Sequence, residues 1–356
     1  MPSFRTGLVT SVVSERPGFQ RVEVDGEPAY VLVDLTGPVA EGDRVVVNTT
    51  AVELGLGTGG SHVVHWNLER AGWRRPGAGN LLKLRYTSVQ ADVGAWTEQD
   101  QGPVAGRDDV PVLPDLSGLV VVVATLHSLL APVTAAVGAQ TKGAKGAKGA
   151  KVAWVMDDTA ALPCALSDLA TALRAAGLVH LTVSCGQAFG GDREAVSVPD
   201  GLVAAAAAGA DLAVVAPGPG LAGTASSVGF GAVAAAGHAD AAAALGASTA
   251  LAVRASRHDP RARHRGVSHH TATVLALAAR THVVPVPEGP VGRELAQLLG
   301  DVAPHEVVPV PTPDLRAVVG GEPLAVRSMG RPLAGDDLAL GAAAAAGAWA
   351  GTLASA

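Results

Sequence analysis

Two textures divide the chain. Over residues 1 to 68, short strand-like apolar runs at 6–13, 20–24, 30–35 and 44–48 are separated by turn signals at Arg16-Pro17-Gly18, Asp25-Gly26 and Glu41-Gly42-Asp43. Short β-rich runs joined by Gly and Asp turns predict a small antiparallel barrel. A glycine-rich stretch, residues 55–60, leads into 61–67, the strand expected to close it. Residues 69–115, broken by Pro76, Pro103, Pro111 and Pro114, read as a connecting segment.

From Leu116 the period changes. Apolar strands at 119–124, 151–156, 179–184, 211–216, 249–253 and 282–286 alternate with helical stretches, which is the rhythm of a parallel sheet covered on both faces. The predicted fold class is therefore α/β, a doubly wound and mostly parallel sheet over residues 116–330, preceded by the small β-barrel. An alanine-rich helix within 331–356 is expected to begin near Asp337 and to run to Trp349. The three-residue lysine repeat within 141–151 reads as a solvated insertion.

Composition narrows the picture. The chain has 356 residues, 48% hydrophobic but only 3% aromatic, so its core must be built from Ala, Val and Leu. A net charge of −6 argues against non-specific nucleic-acid binding. Two cysteines, Cys164 and Cys185, give no disulfide framework and fit a reducing cytoplasm. The first residues, 1–5, lack the basic-then-apolar pattern of a signal peptide. Residues 116–138 are long enough for a membrane span, but His127, Ser128, Pro132 and the β-branched run 120–123 favour a strand turning into a helix. The expected partner is thus neither nucleic acid nor membrane.

Candidate chemistry collects at the carboxyl ends of five successive strands. These ends carry His127-Ser128, Asp157-Asp158, Cys185 through Asp192, Pro217 through Thr224, and an Arg/His segment. In an open parallel sheet they share one edge and can converge on a ligand. Each also has a plain structural reading. His127, Ser128, Asp157 and Asp158 are suited to capping the helices that follow; the aspartates equally suit a metal or a general base. Cys185 reads as a small core residue, or as a nucleophile if a histidine activates it. Gly218, Gly220 and Gly223 satisfy G-x-G-x-x-G, with Thr224 next. With a proline inside it and no acidic residue ending the next strand, the turn suits a generic anion better than a dinucleotide.

The Arg/His segment, residues 254–271, packs five arginines and four histidines into eighteen positions of a chain only 16% charged. Arg257, Arg261, Arg263 and Arg265 are candidate contacts to phosphate or carboxylate. His264, His269 and His270 are candidate proton-transfer or metal groups, though they lack a tight zinc spacing. A solvated basic loop is the plain alternative. Its place after a strand, with Ser268 able to cap the next helix, favours function.

Four motifs carry a family likeness: His62-Val-Val-His65-Trp-Asn67-Leu, Leu82-Lys-Leu-Arg85-Tyr-Thr87, Cys185-Gly-Gln-Ala-Phe-Gly-Gly-Asp192, and Asp259-Pro-Arg-Ala-Arg-His264-Arg-Gly-Val-Ser-His-His270-Thr. Across nearly the whole chain they resemble a bacterial domain-of-unknown-function family, number 3866. The resemblance implies a bacterial origin and brings no activity with it. Fainter is a similarity to the B component of glycine/betaine reductases, carried by Cys185-Gly186, Ala210-Asp211 and Gly218-Pro219. It implies a shared sheet architecture, but the redox cysteine or selenocysteine pair of that family has no counterpart here.

The sequence thus supports a cytoplasmic enzyme acting on a small anionic metabolite. The arginines would hold the anion; Asp157, Asp158, Asp192, His127, His264, His269 and His270 would be the acid–base or metal groups. The alternative is a non-catalytic ligand-binding or regulatory module. The cofactor and the metal are unknown, and homo-oligomerisation is left open.

Overall fold

The computed structural model describes residues 1–55, 60–77, 79–101, 113–142, 149–224 and 226–355. Gly57, Gly59, Pro103, Pro111 and most of the lysine repeat lie outside them. Two compact units emerge: residues 1–103 with 163–166, and 104–162 with 167–356.

The first unit contains a closed five-stranded barrel. Its strands are β1 (Phe4–Arg16), β2 (Phe19–Val24), β3 (Glu27–Leu32), β4 (Arg44–Asn48) and β5 (His62–Asn67), ordered β1-β2-β3-β5-β4. Alternate valines on these strands, among them Val22, Val24, Val31, Val45 and Val47, fill the interior. The barrel is not wholly antiparallel as expected, because β3 and β5 pair in parallel. An odd number of strands cannot alternate direction all the way round a closed circuit. The predicted strand at 30–35 also starts and ends earlier; Val33–Thr36 form a helical turn.

The second unit is an eight-stranded sheet in which every pairing is parallel. In chain order its strands are β6 (Val120–Ala124), β7 (Val152–Asp157), β8 (Leu181–Ser184), β9 (Arg193–Glu194), β10 (Leu212–Pro217), β11 (Ser248–Ala252), β12 (Val283–Pro287) and β13 (Glu306–Val310). Across the sheet they run β9-β8-β7-β10-β6-β11-β12-β13. Every residue of β6, β7 and β10 is buried, as a sheet covered on both faces requires. Six strands match the expected ones. The other two, β9 and β13, form the edges. The apolar pattern of β13 is interrupted by Pro309, which an edge strand tolerates because one side of its ladder is unpaired.

One group of helices comprises α1 (Leu130–Lys142) and α7 (Asp337–Ala354), packed on each other and on the sheet. Close approach explains the alanine and glycine content of α7: a Cβ at Gly347 would collide with the Val133 carbonyl. A second group comprises α3 (Val198–Ala207), α4 (Ala235–Ala244) and α5 (His269–Leu277). The helices α2 (Asp168–Ala175) and α6 (Pro290–Leu299) complete the crossovers. Among the described residues no helix is long and apolar enough to cross a membrane.

The strand order creates two places where the connections of neighbouring strands leave away from each other. One lies between β7 and β10, the other between β6 and β11. Such switch points are where α/β sheets open a crevice beyond their carboxyl ends. Between β7 and β10 the space is filled: Ala161 N–H donates to the Pro219 carbonyl at 3.0 Å, and a Cβ at Gly218 would press on Met156 and the Ala161 carbonyl. Between β6 and β11 it is open.

Candidate functional site

The open switch point holds a cavity of about 280 Å3. Leu126 and Leu129 reach it from the end of β6, and Arg254, Ser256, Asp259 and His264 from the segment after β11. The third wall is the stretch from Ser328 to Asp336 and the first turn of α7.

The Arg/His segment is an ordered turn with its own framework. Ala255–Ser256 pairs antiparallel with Gly266–Val267, so the segment folds back as a narrow ribbon. Its base is Asp259, only 2% exposed. That carboxylate accepts from Arg261 Nε at 3.0 Å and Nη2 at 2.9 Å, and from Arg331 Nη2 at 3.1 Å. The Arg261 guanidinium above all holds the Asp259 carboxyl well below the usual carboxylate range. A second buried carboxylate, Asp336, caps α7 by accepting the Ala339 N–H at 3.2 Å, and also accepts the Ser256 hydroxyl at 2.6 Å. Burial alone would raise its pKa; these hydrogen bonds outweigh that and keep it below its ordinary value.

Arg254 is the unusual member. It is 6% exposed, lines the cavity, and makes no ion pair among the described residues. Its one side-chain hydrogen bond runs from Nη1 to His270 Nδ1 at 2.8 Å. Burial, reinforced by the nearby Arg261, pushes its pKa down to about 10, still charged at neutral pH. A buried cation with only a neutral partner is costly unless something else compensates it.

The three histidines cluster around it. One ligand atom from each of His264, His269 and His270 lies within 4.8 Å of the others. His270 stacks flat on Phe230, ring centroids 3.8 Å apart. His264 Nδ1 lies 2.7 Å from Ser268 Oγ, and the same hydroxyl accepts the His270 N–H to cap α5, as the sequence suggested. Burial first, then the Arg254 charge, pushes His264 down to about 4 and His270 to about 3. Burial, followed by the Arg263 charge, lowers His269. All three are therefore neutral rings at physiological pH.

The cluster has the composition of a metal centre but not the free lone pairs. Arginine can only donate, so His270 Nδ1 must be the acceptor and its proton sits on Nε2. No lone pair on that ring remains for a cation, and the charges of Arg254, Arg261 and Arg263 repel one. The residues do not fit a three-histidine metal site while Arg254 holds His270.

The other expected residues are spent elsewhere, and none of Asp157, Asp158, Asp192 or His127 lines the cavity. No helix begins near Ala160, so the two aspartates are not its caps: Asp157 accepts from Thr159 N–H at 2.9 Å, and Asp158 from Gln187 N–H at 2.8 Å across the left-handed Gly186. Asp192 pairs with Arg174 and Thr182. His127 does not cap α1; it reaches the Pro217 carbonyl at 3.1 Å and Ser167 Oγ at 2.8 Å, and burial pushes it down to about 4. Ser128 donates to Ser328 Oγ at 3.1 Å. Cys185 is a buried thiol packed under Gly201.

Among the arginines, Arg257 grips Glu294, Arg261 is clamped on Asp259, and Arg265 donates to the Asp259 and Pro260 carbonyls at 3.3 Å each. Only Arg263 is exposed without a partner among the described residues. The glycine turn does not open into a helix. Gly218, Gly220 and Gly223 lead through a further loop, in which Thr224 is bonded to Gly229, and α4 starts only at Ala235. Gly220 alone of the three has positive φ.

Sequence reasoning missed Arg254, Asp259, Arg331 and Asp336 as site residues. It also missed His238, whose Nε2 lies 3.5 Å from Asp157 Oδ2. One signal was available: a lone aspartate inside an arginine run is where a clamp belongs, and Asp336-Asp337 before an alanine run marks a helix start.

No curated protein and no solved structure matches the chain, and the fainter likeness to glycine/betaine reductase components finds no support. The model of a family described as protein of unknown function, DUF3866, matches residues 28–347, most of the chain, and the protein belongs to that family.

Proposed function

We propose that the protein binds a small anionic metabolite in the cavity between β6 and β11 and acts on it as a cytoplasmic enzyme, using the sheet edge in the Rossmann-like manner. The observation that carries this reading is Arg254, a buried guanidinium on the cavity lining that makes no ion pair among the described residues. An anion there would supply the missing counter-charge. His264, on the same lining, is the candidate proton-transfer group, held by Ser268 and neutral at physiological pH.

The test is a thermal-shift panel of anionic metabolites on the wild type and Arg254→Met. Stabilisation present in the wild type and lost in a folded Arg254→Met protein supports the site. No stabilisation, or stabilisation kept in the variant, contradicts it.

A second reading, a non-catalytic ligand-binding module, is favoured by one observation: the aspartates at neighbouring strand ends all have local partners. His264→Asn separates the two. Binding retained with turnover lost supports the enzyme; turnover unchanged removes His264 from the chemistry.

A further inference from the structure

We infer that the ligand of this cavity is a monocarboxylate with a short aliphatic body, an inference that rests on the cavity being the binding site. Charge sets the anion's valence. Of the two guanidiniums on the lining, Arg331 is held by Asp259, which leaves Arg254 as the one without an ion pair among the described residues. Two carboxylates, Asp259 and Asp336, also border the space. One negative charge balances Arg254; a phosphate dianion would meet two like charges and find no second free guanidinium.

The donors point the same way. Phosphate sites on α/β sheets use the N–H groups of a helix N-terminus. Here the helix that starts at the cavity is already capped by Asp336, which accepts the Ala339 N–H. What remains is the planar fork of Arg254, suited to a planar carboxylate.

The walls set the body. Leu126, Leu129, Met329, Leu333 and Ala339 form the apolar part of the lining, beside the polar side chains of Ser256, His258, His264 and Ser328. A hydroxyl placed against those apolar side chains would be buried without a partner. At about 280 Å3 the cavity lies just below the usual range of small-molecule sites, which suits a short body.

The experiment is calorimetric titration of the full-length protein at pH 7.5 with straight-chain carboxylates from acetate to decanoate, beside inorganic phosphate and succinate. We expect Kd to tighten about fourfold per added methylene over the first several carbons, then to level off once the cavity is full. Arg254→Met should abolish binding of the whole series. Ala339→Leu, which fills the apolar end and leaves Arg254 in place, should move the break to shorter chains, so the test survives a misfolded Arg254 variant. Phosphate or succinate binding more tightly than the aliphatic acids, or a flat chain-length series with Arg254-dependent binding, overturns the monocarboxylate and leaves the anion site standing. Absence of Arg254-dependent binding by any of these anions overturns both.

Discussion

Arg254 Nη1 lies 2.8 Å from His270 Nδ1, and this contact decides what the histidine cluster does. It fixes the tautomer of His270 and leaves the ring's Nε2–H as a donor. Three close histidines then become neutral hydrogen-bonding groups around a buried cation. That arrangement attracts anions and repels metal ions.

Zinc is therefore predicted not to bind the wild-type cluster. In competition with a chromophoric chelator at pH 7.5, the wild type should leave the indicator's zinc untouched. Arg254→Ala, which frees His270 Nδ1, should gain measurable uptake. Stoichiometric uptake by the wild type, lost in His270→Ala, would sink this account.

Asp259 is the keystone of the segment. Removing it leaves the Arg261 and Arg331 guanidiniums with no carboxylate between them, so Asp259→Ala should cost about 3 kcal/mol in urea unfolding. Arg263→Ala, at an exposed side chain without a partner, should change stability by no more than about 0.5 kcal/mol. Similar losses in the two variants would mean that the clamp does not organise the loop.

Stability should fall as pH drops from about 6.5. His264 and His270 have folded pKa values near 4 and 3, below the unfolded 6.5, so the unfolded chain binds protons first. Their contribution is complete above pH 6.5 and is lost progressively down to those folded values. Each group adds a slope of up to about 1.4 kcal/mol per pH unit. A His264→Asn variant should show a shallower decline between pH 6.5 and 4. An unchanged slope would contradict the depressed value. The Asp259 and Asp336 carboxyls, shifted the same way from a lower starting point, act only below about pH 4.

Ligand binding should take up protons. His264 faces Arg254, Arg261, Asp259 and His269, and its low pKa comes from burial and the two arginines. An anion on Arg254 offsets that charge and raises the His264 pKa towards its ordinary value. Affinity for the anion should then increase as pH falls from 7.5 to about 5.5, above the range in which a carboxylate ligand is itself protonated, with buffer-dependent enthalpies reporting the uptake. Affinity independent of pH over that range would show that the anion does not sit beside His264.

Much of the fold was legible because its signals are local. Six apolar strands and the Ser268 cap follow from residues within a turn of each other. The parallel β3–β5 pair and the β6–β11 switch point were not legible, because strand order depends on which crossovers skip a neighbour. In the site, the Arg/His segment stood out by composition. The sequence could not tell that Arg257 and Arg261 already have carboxylate partners, one of them 37 residues away, whereas Arg254 makes no ion pair among the described residues. Asp157 and Asp158 misled for the same reason. Sharing the carboxyl edge of a sheet is not sharing a cavity, and their switch point is the filled one.

The most direct measurement is where a ligand sits. A crystal soaked in 4-bromobutyrate carries the bromine's anomalous signal, so the carboxylate can be placed from it. The account predicts one site between β6 and β11, with the carboxylate within hydrogen-bond distance of Arg254 and the bromine against Leu126, Leu129 or Ala339. Bromine density at the Gly218–Gly223 turn, or none in the cavity at saturating concentration, would contradict it.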